Sequence, residues 1–321
     1  MKAAVVRRYG PPPVVKIEHI PRPVPGPNEV LIRVRASTVS SADWRIRSLS
    51  MPYGFGLAGR LAMGVTAPRQ IILGSECSGD VVSVGASVRN FTVGDAVVAF
   101  PGVKLGAHAE YCCMNANAAI VRKPDALSYT SAAALAFGGT TALDFFRRGA
   151  LQAGESVLVN GASGTVGSAM VQLAVAAGAR VTAVCSGANV ELIQQLGATR
   201  VVDYTQADFA SECIRYDVIA DTVGNAPYSR VHDALTPGGR LLMVLATLPE
   251  MLRAPWVNRT SQHCMVAGPA AERVEDLHTL VAMAADGRFT PLIDSIFSLD
   301  EIASAHARVE TKKKRGSVLV R

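Results

Sequence analysis

The sequence is poor in the features that mark secreted, metal-clustered or nucleic-acid-binding chains. It has six cysteines in 321 residues and no C-x-x-C pair; Cys112 and Cys113 are adjacent and the others are scattered. That spacing offers neither a disulfide nor a zinc framework, so reduced thiols in a cytoplasmic protein are expected. The opening residues, MKAAVVRRYG, contain no apolar signal core. Aromatic residues make up only 6 % and are not interleaved with basic ones, which argues against a nucleic-acid partner. Charged residues are only 18 % against 49 % hydrophobic, the balance of a well-buried globular chain. The formal net charge is +6, but Lys312, Lys313, Lys314 and Arg315 concentrate four of those charges, a run expected to face water. There is no internal repeat and no low-complexity segment.

Charge is missing altogether from residues 156–179, SVLVNGASGTVGSAMVQLAVAAGA, between Glu155 and Arg180. An uncharged stretch of about 20 residues is long enough for a membrane span, yet its glycines and the lack of a flanking basic cluster argue otherwise. Val157, Leu158 and Val159 read as a strand, followed by Asn160 and then Gly161, Gly164 and Gly167. From Thr165 onward, Val166, Met170, Leu173 and Val175 are spaced as on a helix packed on one face. A strand, a glycine turn and a helix opening at that turn form a dinucleotide-binding unit, in which backbone N–H groups approach a pyrophosphate. Asn160, Gly161, Ala162, Gly164, Thr165, Val166 and Gly167 are its candidate residues. The pattern is G-x-x-G-x-x-G, so it departs at its start from the usual G-x-G-x-x-G.

Residues 1–124 read as short Val- and Ile-rich strands punctuated by proline and glycine, the texture of a Greek-key or barrel-like domain. Residues 45–71 read as a long irregular segment carrying Met51, Tyr53, Phe55 and Met63, a candidate wall of a substrate pocket. Residues 128–149 read as one helix. Strands and helices then alternate to about residue 286, which predicts a parallel, doubly wound sheet. Residues 248–262 read as a second loop. The tail from residue 287 returns to the first texture. The expected organisation is therefore a β-rich domain of residues 1–124 and 287–321 with an α/β domain of residues 125–286 inserted in it.

A second absence bears on the cofactor. Units selective for NAD carry an acidic residue about 20 positions past the glycines, bonded to the ribose hydroxyls; none lies between Val181 and Val190. Ser186 and Asn189 are placed to donate to a 2′-phosphate instead, with Tyr204 and Arg315 as further candidates. NADPH is the expected cofactor.

The segments GSECSGDVVSVGASVRNFTVGDAV (from Gly74), AHAEY (from Ala107), NGASGTVG (from Asn160), LGATRVVDY (from Leu196), DTVG (from Asp221) and TPGGRL (from Thr236) together resemble the medium-chain dehydrogenase/reductase superfamily. The resemblance is greatest to its zinc-independent quinone oxidoreductase branch and covers nearly the whole chain. It implies a GroES-like N-terminal domain, a Rossmann domain, a cleft between them for cofactor and substrate, and a homodimer. In the zinc alcohol dehydrogenases a cysteine opens the segment matched by Ser40, Ser41, Ala42 and Asp43, and a His-Glu pair follows the glycine matched by Gly74. This chain has Ser40 and Ser75 there and keeps Glu76, so no metal is expected.

Without a Lewis acid, hydride delivery to a quinone or an enone is favoured over carbonyl reduction, because conjugation spreads the developing charge. Ser40, by its match to the polar residue of quinone reductases, and Tyr53, in the variable loop, are the candidate catalytic contacts. Asp43 reads as an anchor, and His108 and His306 as structural. The rival readings are an alcohol or aldehyde oxidoreductase without zinc and a non-catalytic NADPH-binding sensor.

Overall fold

Parallel strands must be joined by crossovers, and the chain from residue 156 supplies them as helices between short apolar strands. The computed structural model describes residues 1–321. Its elements begin with β1 (Lys2–Val6), β2 (Val15–His19), β3 (Glu29–Val39), α1 (Ser41–Ser48), α2 (Gly56–Met63), β4 (Cys77–Val84), β5 (Ala96–Ala99), β6 (Tyr111–Asn115) and β7 (Ile120–Arg122). They continue with α3 (Tyr129–Ala133), α4 (Ala136–Arg148), β8 (Ser156–Asn160), α5 (Thr165–Ala176), β9 (Arg180–Cys185), α6 (Val190–Gln195), β10 (Arg200–Asp203) and β11 (Tyr216–Asp221). The last are α7 (Tyr228–Val231), β12 (Leu235–Met243), α8 (Leu248–Thr260), β13 (Cys264–Ala267), α9 (Val274–Ala285), β14 (Ile293–Phe297), α10 (Ile302–Glu310) and β15 (Ser317–Val320).

Two compact units result. The first comprises residues 1–51, 56–137 and 272–321, the second residues 52–55 and 138–271. This division differs from the expected boundaries: residues 125–137 and 272–286 group with the first unit and residues 52–55 with the second. The physical reason is packing, since α3 lies on β3 and β4 while α9 lies on β7.

In the first unit, a seven-stranded sheet runs in the order β14-β15-β3-β4-β5-β7, with β6 also on β3. The tail enters it through β15, antiparallel to β3 with Val318 opposite Val39. Of the basic run, Lys312, Lys313 and Arg315 are exposed, but Lys314 turns inward and its Nζ donates to Gly316 O at 2.6 Å. Burial, opposed by Asp294 and Glu76, brings its ammonium down to about 8, so that part of the expected water-facing run is corrected.

In the second unit, six parallel strands run β10-β9-β8-β11-β12-β13. The order places the topological switch point between β8 and β11, the strand ends where open α/β sheets bind ligands. Leu158, Val184, Ile219, Leu241 and Met265 bury the sheet's apolar content. No helix is long and apolar enough to cross a membrane.

Three local readings differ from expectation. Residues 128–149 form two helices, because the chain tightens to i→i−3 bonds at Ala134 and Leu135. Residues 45–71 contain the end of α1 and all of α2, whose Leu57 and Leu61 share one helix face and are 74 % and 59 % exposed. Residues 248–260 are helical despite Pro255, with the Glu250 carboxylate accepting from Thr247 N and Oγ1 at its start.

Edge strand β13 is closed by side chains of its own unit. Asn258 donates Nδ2 to Met265 O at 3.1 Å and accepts Met265 N–H at 2.7 Å. Ser261 Oγ serves His263 in the same way, and Arg148 donates to Ala267 O. Unpaired edges template strand addition, and these contacts occupy the edge. Asn258→Ala should leave Met265 with buried, unpaired groups at a local cost of about 1–3 kcal/mol. Exchange of the Met265 amide hydrogen should accelerate accordingly, and unchanged exchange would show that the cap is not formed in solution. A local readout is appropriate because a chain of two units need not unfold in one step.

Candidate cofactor and active site

At the end of β8 the backbone turns through Gly161, whose φ of +83° is open to glycine. A Cβ there would also lie 2.5 Å from Val223 Cγ2. The Gly161 and Ala162 N–H groups both donate to Val184 O, at 3.1 and 3.0 Å, which pins the turn to β9. A Cβ on Gly167 would lie 2.1 Å from Gly161 O, so this glycine permits helix and turn to touch. A Cβ on Gly164 would meet only Gly161 O, at 3.4 Å. Gly164 is the N-cap of α5 and offers no side-chain cap, and the first turn, with Thr165 and Val166, holds no acidic residue. The positive end of the helix dipole is thus left for an external anion. The cradle fits a dinucleotide pyrophosphate: its floor is closed by glycine contacts, and the one glycine with space above it lies at the helix start.

Beneath the turn lies a contact that sequence reasoning passed over. Asn160 Nδ2 donates to Asp221 Oδ1 at 2.9 Å and to Asn225 Oδ1 at 2.7 Å. The fully buried Asp221 carboxylate also accepts the N–H groups of Val223, Gly224 and Ala226. Thr222 Oγ1 donates to Asn160 O at 2.7 Å. Asp221, Thr222 and Asn225 therefore hold the ends of β8 and β11 together at the switch point. The DTVG segment was their signal.

The turn after β9 holds Ser186 and Asn189, and Tyr204 follows the neighbouring strand β10. Asn189 Nδ2 donates to Ser186 Oγ at 3.0 Å, while its Oδ1 is buried without a partner. Tyr204, 63 % exposed, is placed by its N–H to Cys185 O at 3.1 Å. Arg315 belongs to the first unit, where its backbone N–H donates to Asp294. The turn itself has no carboxylate, as read from sequence, but the neighbouring strand delivers one: Asp203 ends β10 directly opposite Cys185.

In the first unit, Ser40 is the N-cap of α1. Its Oγ donates to Asp43 Oδ2 at 2.6 Å and accepts Asp43 N–H at 3.2 Å, so the hydroxyl proton is already committed. Asp43 also accepts Ser40 N and Gly74 N, the contacts of an anchor. Glu76, fully buried, accepts from Thr38 Oγ1 and from Phe137 N. Burial pushes its carboxyl up to about 7 against those donors. Ser75 Oγ is buried without a hydrogen-bond partner. His108 bonds Thr38 O at 2.8 Å through Nε2 and meets the buried His306 ring edge-on. Tyr53 groups with the second unit; its O accepts Leu248 N–H, and its side chain is 78 % exposed.

Residues 26–125 match the family described as Alcohol dehydrogenase GroES-like domain, and residues 196–320 that described as Zinc-binding dehydrogenase. The chain is 30 % identical over 366 residues to the NAD(P)H oxidoreductase RTN4IP1, mitochondrial, of Mus musculus, covering 100 % of this chain and 89 % of that protein. It is 28 % identical to the 2-methylene-furan-3-one reductase of Solanum lycopersicum, covering 100 % and 79 %. The solved quinone oxidoreductase from Coxiella burnetii superposes with a TM-score of 0.88 at 28 % identity, covering 100 % and 98 %.

Two outcomes follow from the glycines and from Glu76. Gly164→Ala should fold normally yet bind dinucleotide about tenfold or more weaker in a fluorescence titration, whereas Gly167→Ala should lose thermal stability. Equal loss of stability in both would refute the division of roles. For Glu76, the folded carboxyl titrates above its ordinary 4.5, so the folded state holds a proton that the unfolded chain releases. Its contribution is complete below about 4.5 and is lost as pH rises toward 7. Wild-type melting temperature relative to Glu76→Gln should fall across that window.

Proposed function

The chain belongs to the medium-chain dehydrogenase/reductase superfamily, in its quinone oxidoreductase branch, and from that premise we propose that it is an NADPH-dependent, zinc-independent reductase of quinones or α,β-unsaturated carbonyls. The observation that carries the choice of acceptor is the state of the three positions where the zinc enzymes place their ligands and carboxylate. Ser40 is engaged with Asp43, Ser75 offers a hydroxyl, and the Glu76 carboxylate is occupied by Thr38 and Phe137 N–H. Two hydroxyls and one committed carboxylate are a poor donor set for zinc.

When bound, the reduced nicotinamide supplies the hydride. The chain's own contribution is to bind and orient. The Gly161–Gly167 turn and the α5 N-terminus receive the pyrophosphate, and Ser186, Asn189 and Tyr204 face the adenosine ribose. Asn189 Oδ1, buried without a partner, is an atom that a ribose hydroxyl would satisfy. Because Ser40 has no free proton, its role is to hold the start of α1 by capping it. The exposed Tyr53 phenol is the group available to donate to an acceptor oxygen. A conjugated acceptor distributes the charge that such a single hydrogen bond must stabilise, and the proton comes from solvent.

Oxidation of NADPH by purified protein, followed with a 1,4-quinone, a 2-alkenone and a simple ketone in parallel, tests this. Acceleration is expected with the first two and not with the third. Turnover of the ketone alone would favour an alcohol or aldehyde oxidoreductase, and none with any acceptor a binding protein. Stoichiometric zinc in the active protein would overturn the metal-free reading.

A further inference from the structure

The turn after β9 contains no acidic residue, yet it is built against one. Asp203 closes β10 in register with Cys185, and a Cβ on Gly187 would lie 2.5 Å from its Oδ2. Gly187 is thus the residue that lets the carboxylate reach the middle of the turn. Thr205 holds the opposite oxygen, its N–H at 3.0 Å and its Oγ1 at 2.8 Å from Oδ1. The Thr205 donors, with the Gly187 N–H, keep the carboxyl below its ordinary range, so it is charged at neutral pH. No Lys or Arg lies between Val181 and Glu191 to offset it.

We propose that Asp203 is the residue that sets nucleotide selectivity, restraining the preference for NADPH by opposing a 2′-phosphate at the Ser186–Asn189 turn. This rests on the nucleotide reading above and deepens it. Selectivity in these units is decided where an acidic side chain meets the adenosine ribose. The usual arrangement takes that side chain from the second strand's own end; this chain takes it from the third strand. A fixed negative charge disfavours a dianionic phosphate and leaves a ribose hydroxyl unaffected or favoured. The hydroxyl and amide of Ser186 and Asn189 work in the other direction, so that NADPH stays preferred, by a margin that Asp203 reduces.

The test is calorimetric titration with NADPH, NADH, adenosine 2′,5′-bisphosphate and 5′-AMP, none of which requires turnover. Asp203→Asn should raise the NADPH-to-NADH affinity ratio by about three- to tenfold, with a matching gain for the bisphosphate over AMP. The gain should shrink as salt is added. Asp203→Ser, a second uncharged variant, guards against a local folding defect in the first, and melting curves confirm that both are folded. An unchanged ratio in folded variants, or a ratio shifted toward NADH, would overturn the role of Asp203 while leaving the nucleotide reading intact. Wild-type protein that binds none of the four compounds would overturn both.

Discussion

The bond between Asn160 and Asp221 is the constraint from which the second unit's site follows. A buried carboxylate without a cation is tolerated only when donors surround it, and Asp221 receives one from the β8 end and three from the loop after β11. Those donors are what fix the loop. The loop then returns Thr222 to the Asn160 carbonyl, which sets the exit direction of the chain into Gly161. The glycine turn is thus aimed from below by a polar network, while the apolar sheet only supplies its height. The α5 N-terminus points where it does because this floor is rigid.

The first unit meets the same physical problem in two ways. Asp43 is matched by a hydroxyl and backbone N–H groups and serves as a knot between α1 and Gly74. Glu76 is held by Thr38 and Phe137 N–H, but burial outweighs those bonds and lifts its carboxyl to about 7. Glu76 anchors the backbone at Phe137, where the chain leaves the unit.

Much of the second unit was legible because its signals are local. The strand-turn-helix at residues 156–179 and the alternation after it are patterns a short window contains. Asp221 and Asp203 were not assigned because their roles depend on strand neighbours 61 and 18 residues away, Asn160 and Cys185. Helix α2 was missed because its apolar residues point outward, and α8 because Pro255 breaks the expected pattern, although Thr247 and Glu250 carried a legible start signal. The position of Ser40 was legible, and its capping bond was not. Its capping bond to Asp43 is a three-residue motif, but the match to a catalytic segment drew the reading toward substrate.

That capping bond has an evolutionary consequence. If this lineage once carried a thiolate at position 40, the serine now there has acquired a second duty, because it starts α1 and satisfies a carboxylate that is itself buried. A cysteine is a poor N-cap and would leave Asp43 short of a donor. Reversion toward metal chemistry would therefore have to cross a less stable intermediate before any ligand set was complete. At position 40 the return path is thus opposed by folding and not by catalysis.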